Sequence, residues 1–109
     1  MPPRTELLKG TLDLLILKTL ETGARHGLLI ADRIEQLTRG TFSVKPGSLF
    51  PALHRLEQWG FVAGTWTSND EGRRVKSYAL TAAGRRQLAS EKRQWARITV
   101  AVNLVLDEG

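Results

Sequence analysis

The sequence predicts a mainly α-helical fold with one small β-hairpin, an α+β chain that closes on a long helix. Three observations carry that class. Leu49, Leu53 and Leu56 recur at i, i+4, i+7 between Ser48 and Gly60, the spacing of one helical face. At residues 61–67 the pattern switches to alternation, with Val62, Gly64 and Trp66 against Phe61, Ala63 and Thr65, and Ser68-Asn69-Asp70-Glu71-Gly72 supplies a turn. From Thr81 onward there is no proline, and the last interior glycine is Gly84.

Composition sets the bounds. A chain of 109 residues is one domain with a modest core. Sixteen Lys+Arg against eleven Asp+Glu give a net charge of +5 and a pI near 10.2. A basic domain of this size suits a polyanion, nucleic acid first and an anionic membrane surface second. The absence of cysteine removes disulfides and thiolate metal sites, so a reducing cytoplasm is the expected home. Met1-Pro2-Pro3-Arg4 does not open a signal peptide, and the apolar run Leu12 to Leu20 is too short to span a bilayer and carries Asp13 and Lys18.

The first firm helix is expected to open at Gly10-Thr11, with Thr11 as a cap and Asp13 in its first turn, and to stop at Gly23. Leu8, Leu12, Leu15, Ile16 and Leu20 line one side, and Leu14 and Leu17 extend the apolar surface to a second. A second helix is predicted from about His26 to Thr38, on Ile30, Ala31, Ile34 and Leu37, ending at Gly40. Thr41-Phe42-Ser43-Val44 is expected as a short extended piece.

The third helix, about 48–59, takes Ser48 as N-cap and Gly60 as the residue that ends it, which puts Pro51 in the tolerant first turn. Opposite its leucines stand Ser48, Pro51, His54, Arg55 and Gln58, a face short of acids and rich in donors suited to a phosphate or a base edge. Arg55 is the best placed for guanine, because its fork matches O6 and N7. The hairpin of residues 61–80 returns from Val75 to Thr81, and its tip is flanked by Arg73, Arg74 and Lys76. Helix, helix, short strand, helix and basic hairpin describe a winged helix-turn-helix over residues 1–80. Residues 81–109 then form one helix in the same compact domain. On that helix Leu88, Trp95 and Val102 are seven apart, and Ile98 and Val105 fill the intervening positions of a dimer seam. Residues 98–106 also alternate like a strand; the good helix formers of 82–97 that lead into them favour helix.

The chain resembles the PadR-like family of bacterial transcriptional regulators, specifically its short subgroup. The resemblance lies in Gly10-Thr11-Leu12-Asp13-Leu14-Leu15-Ile16-Leu17, His26-Gly27, Gly47-Ser48-Leu49-Phe50-Pro51-Ala52-Leu53-His54-Arg55-Leu56-Glu57, Arg73-Arg74 and Tyr78-Ala79-Leu80-Thr81. It implies a homodimeric repressor on a pseudo-palindromic operator, with the third helix in the major groove and the wing on the backbone. It implies that the last helix makes the dimer with help from the N-terminal helix around Leu8. At Phe50 the family usually has tyrosine, so a hydroxyl contact at that DNA-facing position is lost. Some relatives hold flat aromatic compounds between facing aromatic side chains at the dimer centre, which makes Trp95 a candidate for contact with a small aromatic effector.

An enzyme finds no support. His26 and His54 have no metal-ligand spacing, the carboxylates at 6, 13, 21, 32 and 35 read as solvated or capping groups, and no phosphate-binding glycine pattern exists. No cofactor or metal is expected. The alternative is a winged helix used as a protein–protein interaction module without sequence-specific DNA binding. Arg55, Arg73, Arg74 and Lys76 weigh against it, and RNA is disfavoured because no aromatic platform is exposed on a predicted sheet.

Overall fold

The computed structural model describes residues 9–108. The elements run α1 (Lys9–Thr19), β1 (Arg25–His26), α2 (Gly27–Leu37), α3 (Pro46–Gln58), β2 (Val62–Ser68), β3 (Arg74–Leu80) and α4 (Ala82–Leu106). The three strands form one antiparallel sheet in the order β1-β3-β2. This is the α+β class expected, a winged helix-turn-helix with a long final helix, and residues 98–106 are helical.

One core joins these elements. Leu12, Ile16, Leu17 and Leu20 meet Ile30, Ala31 and Ile34 of α2, Leu49, Ala52, Leu53 and Leu56 of α3, Val62 and Tyr78 at the base of the wing, and Leu88 of α4. As expected of a helix buried on more than one face, α1 also buries Asp13 and Thr19. Leu37 is the exception on α2: it stands 59% exposed at the helix end rather than in the core.

Several boundaries differ from the sequence reading for local reasons. Gly10 and Thr11 lie inside α1, and the helix ends at Thr19 instead of running to Gly23. The Thr19 carbonyl accepts from Arg25 Nε at 3.0 Å, so a side chain supplies the stop. The short strand is Arg25–His26, paired with Tyr78 and Ser77, and not the segment 41–44, which has no strand pairing. His26 is the N-cap of α2 but makes no side-chain capping bond.

Helix α3 starts two residues earlier than Ser48, with Lys45 as N-cap and Pro46 at its first position. Pro51 is therefore interior, where it removes the bond to the Gly47 carbonyl, at a cost of about 3 kcal/mol. Burying Leu49, Leu53 and Leu56, each at most 1% exposed, contributes roughly 1.5–3 kcal/mol apiece and outweighs it. Gly47 is exposed, so water can take up its carbonyl. Gly60, at φ +78°, ends the helix as expected.

Thr81 binds three elements together. It is the N-cap of α4, its hydroxyl accepts from the Gly84 N–H at 3.0 Å and donates to the Gly60 carbonyl at 2.6 Å, and its own N–H reaches the Phe61 carbonyl at 3.2 Å. The first turns of α4, including Leu88, pack into the domain; from Lys92 to Glu108 every residue is exposed in the single chain.

Candidate nucleic-acid interface

The solvent face of α3 carries Ser48, Pro51, His54 and Gln58, all exposed, with Trp59 at its end. Arg55 does not share that face. Its guanidinium turns inward to Asp13 of α1, with Nη2 at 2.7 Å from the carboxylate, and the two side chains are only 19% and 10% exposed. The nearby Trp59 ring lies 5.8 Å from the guanidinium. The structure turns Arg55 onto Asp13 instead of leaving it on the exposed face where the sequence reading put it as a guanine reader, and Asp13, read as a solvated or capping carboxylate, is buried; together they tie the first helix to the third.

The wing is held by its turn. Asn69 Oδ1 accepts from the Glu71 and Arg73 N–H groups at 3.0 and 2.9 Å, and Gly72, at φ +76°, completes the reversal. Arg73 and Arg74 are exposed. Lys76 is committed elsewhere: its Nζ donates to Glu57 of α3 at 2.8 Å. That bond holds the Glu57 carboxyl below its ordinary range and pushes the Lys76 ammonium up, so the tie persists at neutral pH and is lost in acid as Glu57 protonates. Among the described residues, the exposed cations of the wing are therefore Arg73 and Arg74.

Phe50 is 43% exposed, with its ring edge against Gly27; a Cβ there would come within 2.8 Å of Phe50 Cε1. Phe50 faces Trp66, Arg73, Arg74 and Lys76 across a cleft of about 610 Å³ between wing and helices. Sequence reasoning missed Trp66: it expected no aromatic exposed on the sheet, and Trp66 stands 57% exposed there, which removes that argument against RNA. The signal was in the alternation: Trp66 pairs with Lys76 and shares a sheet face with Arg74 and Tyr78.

Along α4, Trp95, Ile98, Val102 and Val105 are 49%, 52%, 48% and 71% exposed. Leu88 is 2% exposed in the core of its own chain, so it is removed from the expected dimer seam; Leu8 lies outside the described residues. Trp95 lines a groove of about 320 Å³ with Gly10, Thr11, Leu14, Glu91, Gln94 and Ile98. Burial, reinforced by Asp13, raises the Glu91 carboxyl above its ordinary value of 4.5. An acid raised in the folded state stabilises the fold below its unfolded pKa and loses that contribution as pH rises through its folded value. Glu91→Gln is accordingly expected to raise the melting temperature at pH 7, with a gain that vanishes below pH 4.5; thermal melts at both pH values check it.

Among the described residues no group of three His, Cys, Asp or Glu is placed to hold a metal, and no helix is long and apolar enough to cross a membrane. A family model described as the transcriptional regulator PadR-like family matches residues 16–90. The chain belongs to that family. Its PadR-like relatives are transcriptional regulators, not enzymes, and this chain is one of them. It is similar to the transcriptional regulator Rv3488 of Mycobacterium tuberculosis, 39% identical over 59 residues that cover 54% of each chain. It also matches the transcriptional regulator YqjI of Escherichia coli at 32% identity over 85 residues, 78% of this chain and 39% of that one. Among solved structures, a PadR-like transcriptional regulator from Bacillus cereus is 28% identical with a TM-score of 0.79, covering 96% of this chain and all of the other. A PadR family regulator from Clostridium difficile is 30% identical with a TM-score of 0.75, covering 86% and 96%.

Proposed function

We propose that this PadR-like regulator is a cytoplasmic repressor that binds duplex DNA as a homodimer, with α3 in the major groove and the wing on the backbone. The observation that carries the reading is the exposed, acid-free face of Ser48, Pro51, His54 and Gln58 beside a wing whose Arg73 and Arg74 point to solvent. His54 and Gln58 offer the base-edge donors and acceptors, and Ser48 and the two arginines serve phosphates. Arg55 and Lys76 act through the fold, holding α3 against α1 and against the wing.

Trp95, Ile98, Val102 and Val105 are all exposed on one side of α4, an apolar seam that supports a second copy as its cover. The groove beside Trp95 is the place for a planar aromatic effector, which would regulate by favouring one spacing of the two wings. Residues 1–80 serve as the DNA-binding part and 81–109 as the dimerisation helix.

Selection from random duplexes tests the whole reading. The expected product is a pseudo-palindrome whose half-sites lie about 34–36 Å apart. His54→Ala and Gln58→Ala should each relax one position per half-site, at about 1–3 kcal/mol. Retention of no duplex, or of duplexes without two-fold symmetry, contradicts it. The same absence of retention, with capture of a protein instead, is the outcome of an interaction module.

A further inference from the structure

Resting on the DNA-binding reading above, we infer that Trp66 is a positioning residue for the duplex: its indole is the shelf that presents the Arg74 guanidinium to a phosphate. Trp66 is 57% exposed, an unusual place for the largest apolar side chain on a wing strand. It is not isolated. The Arg74 guanidinium lies 4.7 Å from the centroid of the indole, and Lys76 Nζ lies 6.0 Å from it. The register makes this arrangement, since Trp66 pairs with Lys76 and Ser68 with Arg74, which puts all three long side chains on one face of the sheet.

That face is anchored at both ends. Glu57 of α3 holds Lys76, and the Asn69 turn fixes the tip next to Arg74. Among the described residues, no acceptor takes the Arg74 side-chain N–H groups. A guanidinium lying over an aromatic face keeps its in-plane donors directed outward. The stack therefore restricts a long cationic side chain before DNA arrives and leaves its hydrogen-bonding edge open. An exposed arginine without the shelf would have to be ordered on binding.

The test is a double-variant cycle read by duplex affinity, on the operator recovered by selection. Trp66→Leu, which keeps an apolar strand residue, should weaken a two-winged dimer by about fivefold to thirtyfold. Trp66→Phe, which keeps an aromatic face, should retain most of the affinity. In an Arg74→Gln background, Trp66→Leu should have almost no further effect, because the guanidinium that it positions is gone. A merely structural tryptophan would lower affinity equally in both backgrounds, and that result overturns the inference. Full affinity for Trp66→Leu, or for Arg74→Gln, overturns it too while leaving DNA binding intact. A wild-type protein that retains no duplex removes the underlying reading instead, and with it the inference.

Discussion

Arg55→Ala is expected to destabilise the fold by about 1.5–3 kcal/mol, the typical worth of a hydrogen bond between charged groups, here in a part-buried ion pair. The guanidinium sits 2.7 Å from an Asp13 carboxylate that is 10% exposed, and alanine would leave that charge in a space the missing side chain used to fill. Against a total stability of about 5–15 kcal/mol for a domain, such a loss is large. The pair itself is not a strong net stabiliser. Arg55 Nε is buried with no acceptor among the described residues, which costs about 1–3 kcal/mol. Replacing both members with apolar residues, Asp13→Leu with Arg55→Met, should thus recover most of the stability lost by the single variant. Denaturant unfolding of the three proteins checks this. If Arg55→Ala instead keeps its midpoint and loses preference at one base, Arg55 reads DNA and the inward geometry is wrong.

Gly84→Ala should be comparably damaging, and for a reason opposite to its helix propensity. In an open helix the change gains about 1 kcal/mol. Here an added Cβ would lie 1.9 Å from the Phe61 carbonyl oxygen and 2.9 Å from its carbon, both backbone atoms. The same carbonyl accepts from the Thr81 N–H, so it cannot swing away without breaking the junction of wing and α4. Relief requires α4 to move off the sheet, carrying the buried Leu88 with it. The expected loss is at or above the upper end of the roughly 1–3 kcal/mol that overpacking costs. A higher denaturation midpoint for Gly84→Ala would show that the close approach does not exist. By contrast, an added Cβ at Gly64 meets mainly the flexible end of Lys76, so a substitution there threatens the Glu57 tie rather than the backbone.

The parts of the fold legible in the sequence were those written as periodicity. The leucines of α3, the alternation of the wing and the unbroken run of α4 each specify an element through local spacing. What escaped depends on distant partners. Arg25–His26 is too short for any pattern and is a strand only because Tyr78 and Ser77 lie beside it. The sequence reading placed Arg55 opposite the leucines with the other donors, but Asp13, forty-two residues away, decides which way it turns. Lys76 was likewise a wing cation until Glu57, nineteen residues earlier, claimed it. A helical wheel cannot distinguish a cation that serves DNA from one that serves the fold, because the difference is whether an acid from another element is within reach. Leu88 matches the heptad of Trp95 and Val102, yet it falls where α4 still lies on the domain, so the core takes it first.

If, as proposed, the solvent-facing arginines of the wing and not the paired cations engage DNA phosphates, the salt dependence of duplex affinity measures it most directly. Each neutralised phosphate adds about −0.9 to the slope of log K against log salt. A wild-type dimer whose two wing arginines per protomer neutralise about four phosphates should owe about −3.6 of its slope to them. Arg73→Gln with Arg74→Gln removes two cations from each wing, so its slope should be shallower by about 3–4. Lys76→Gln, whose ammonium is bound to Glu57, should change the slope little. A double-arginine variant with the wild-type slope, or a Lys76→Gln variant that flattens it as much, would contradict the account.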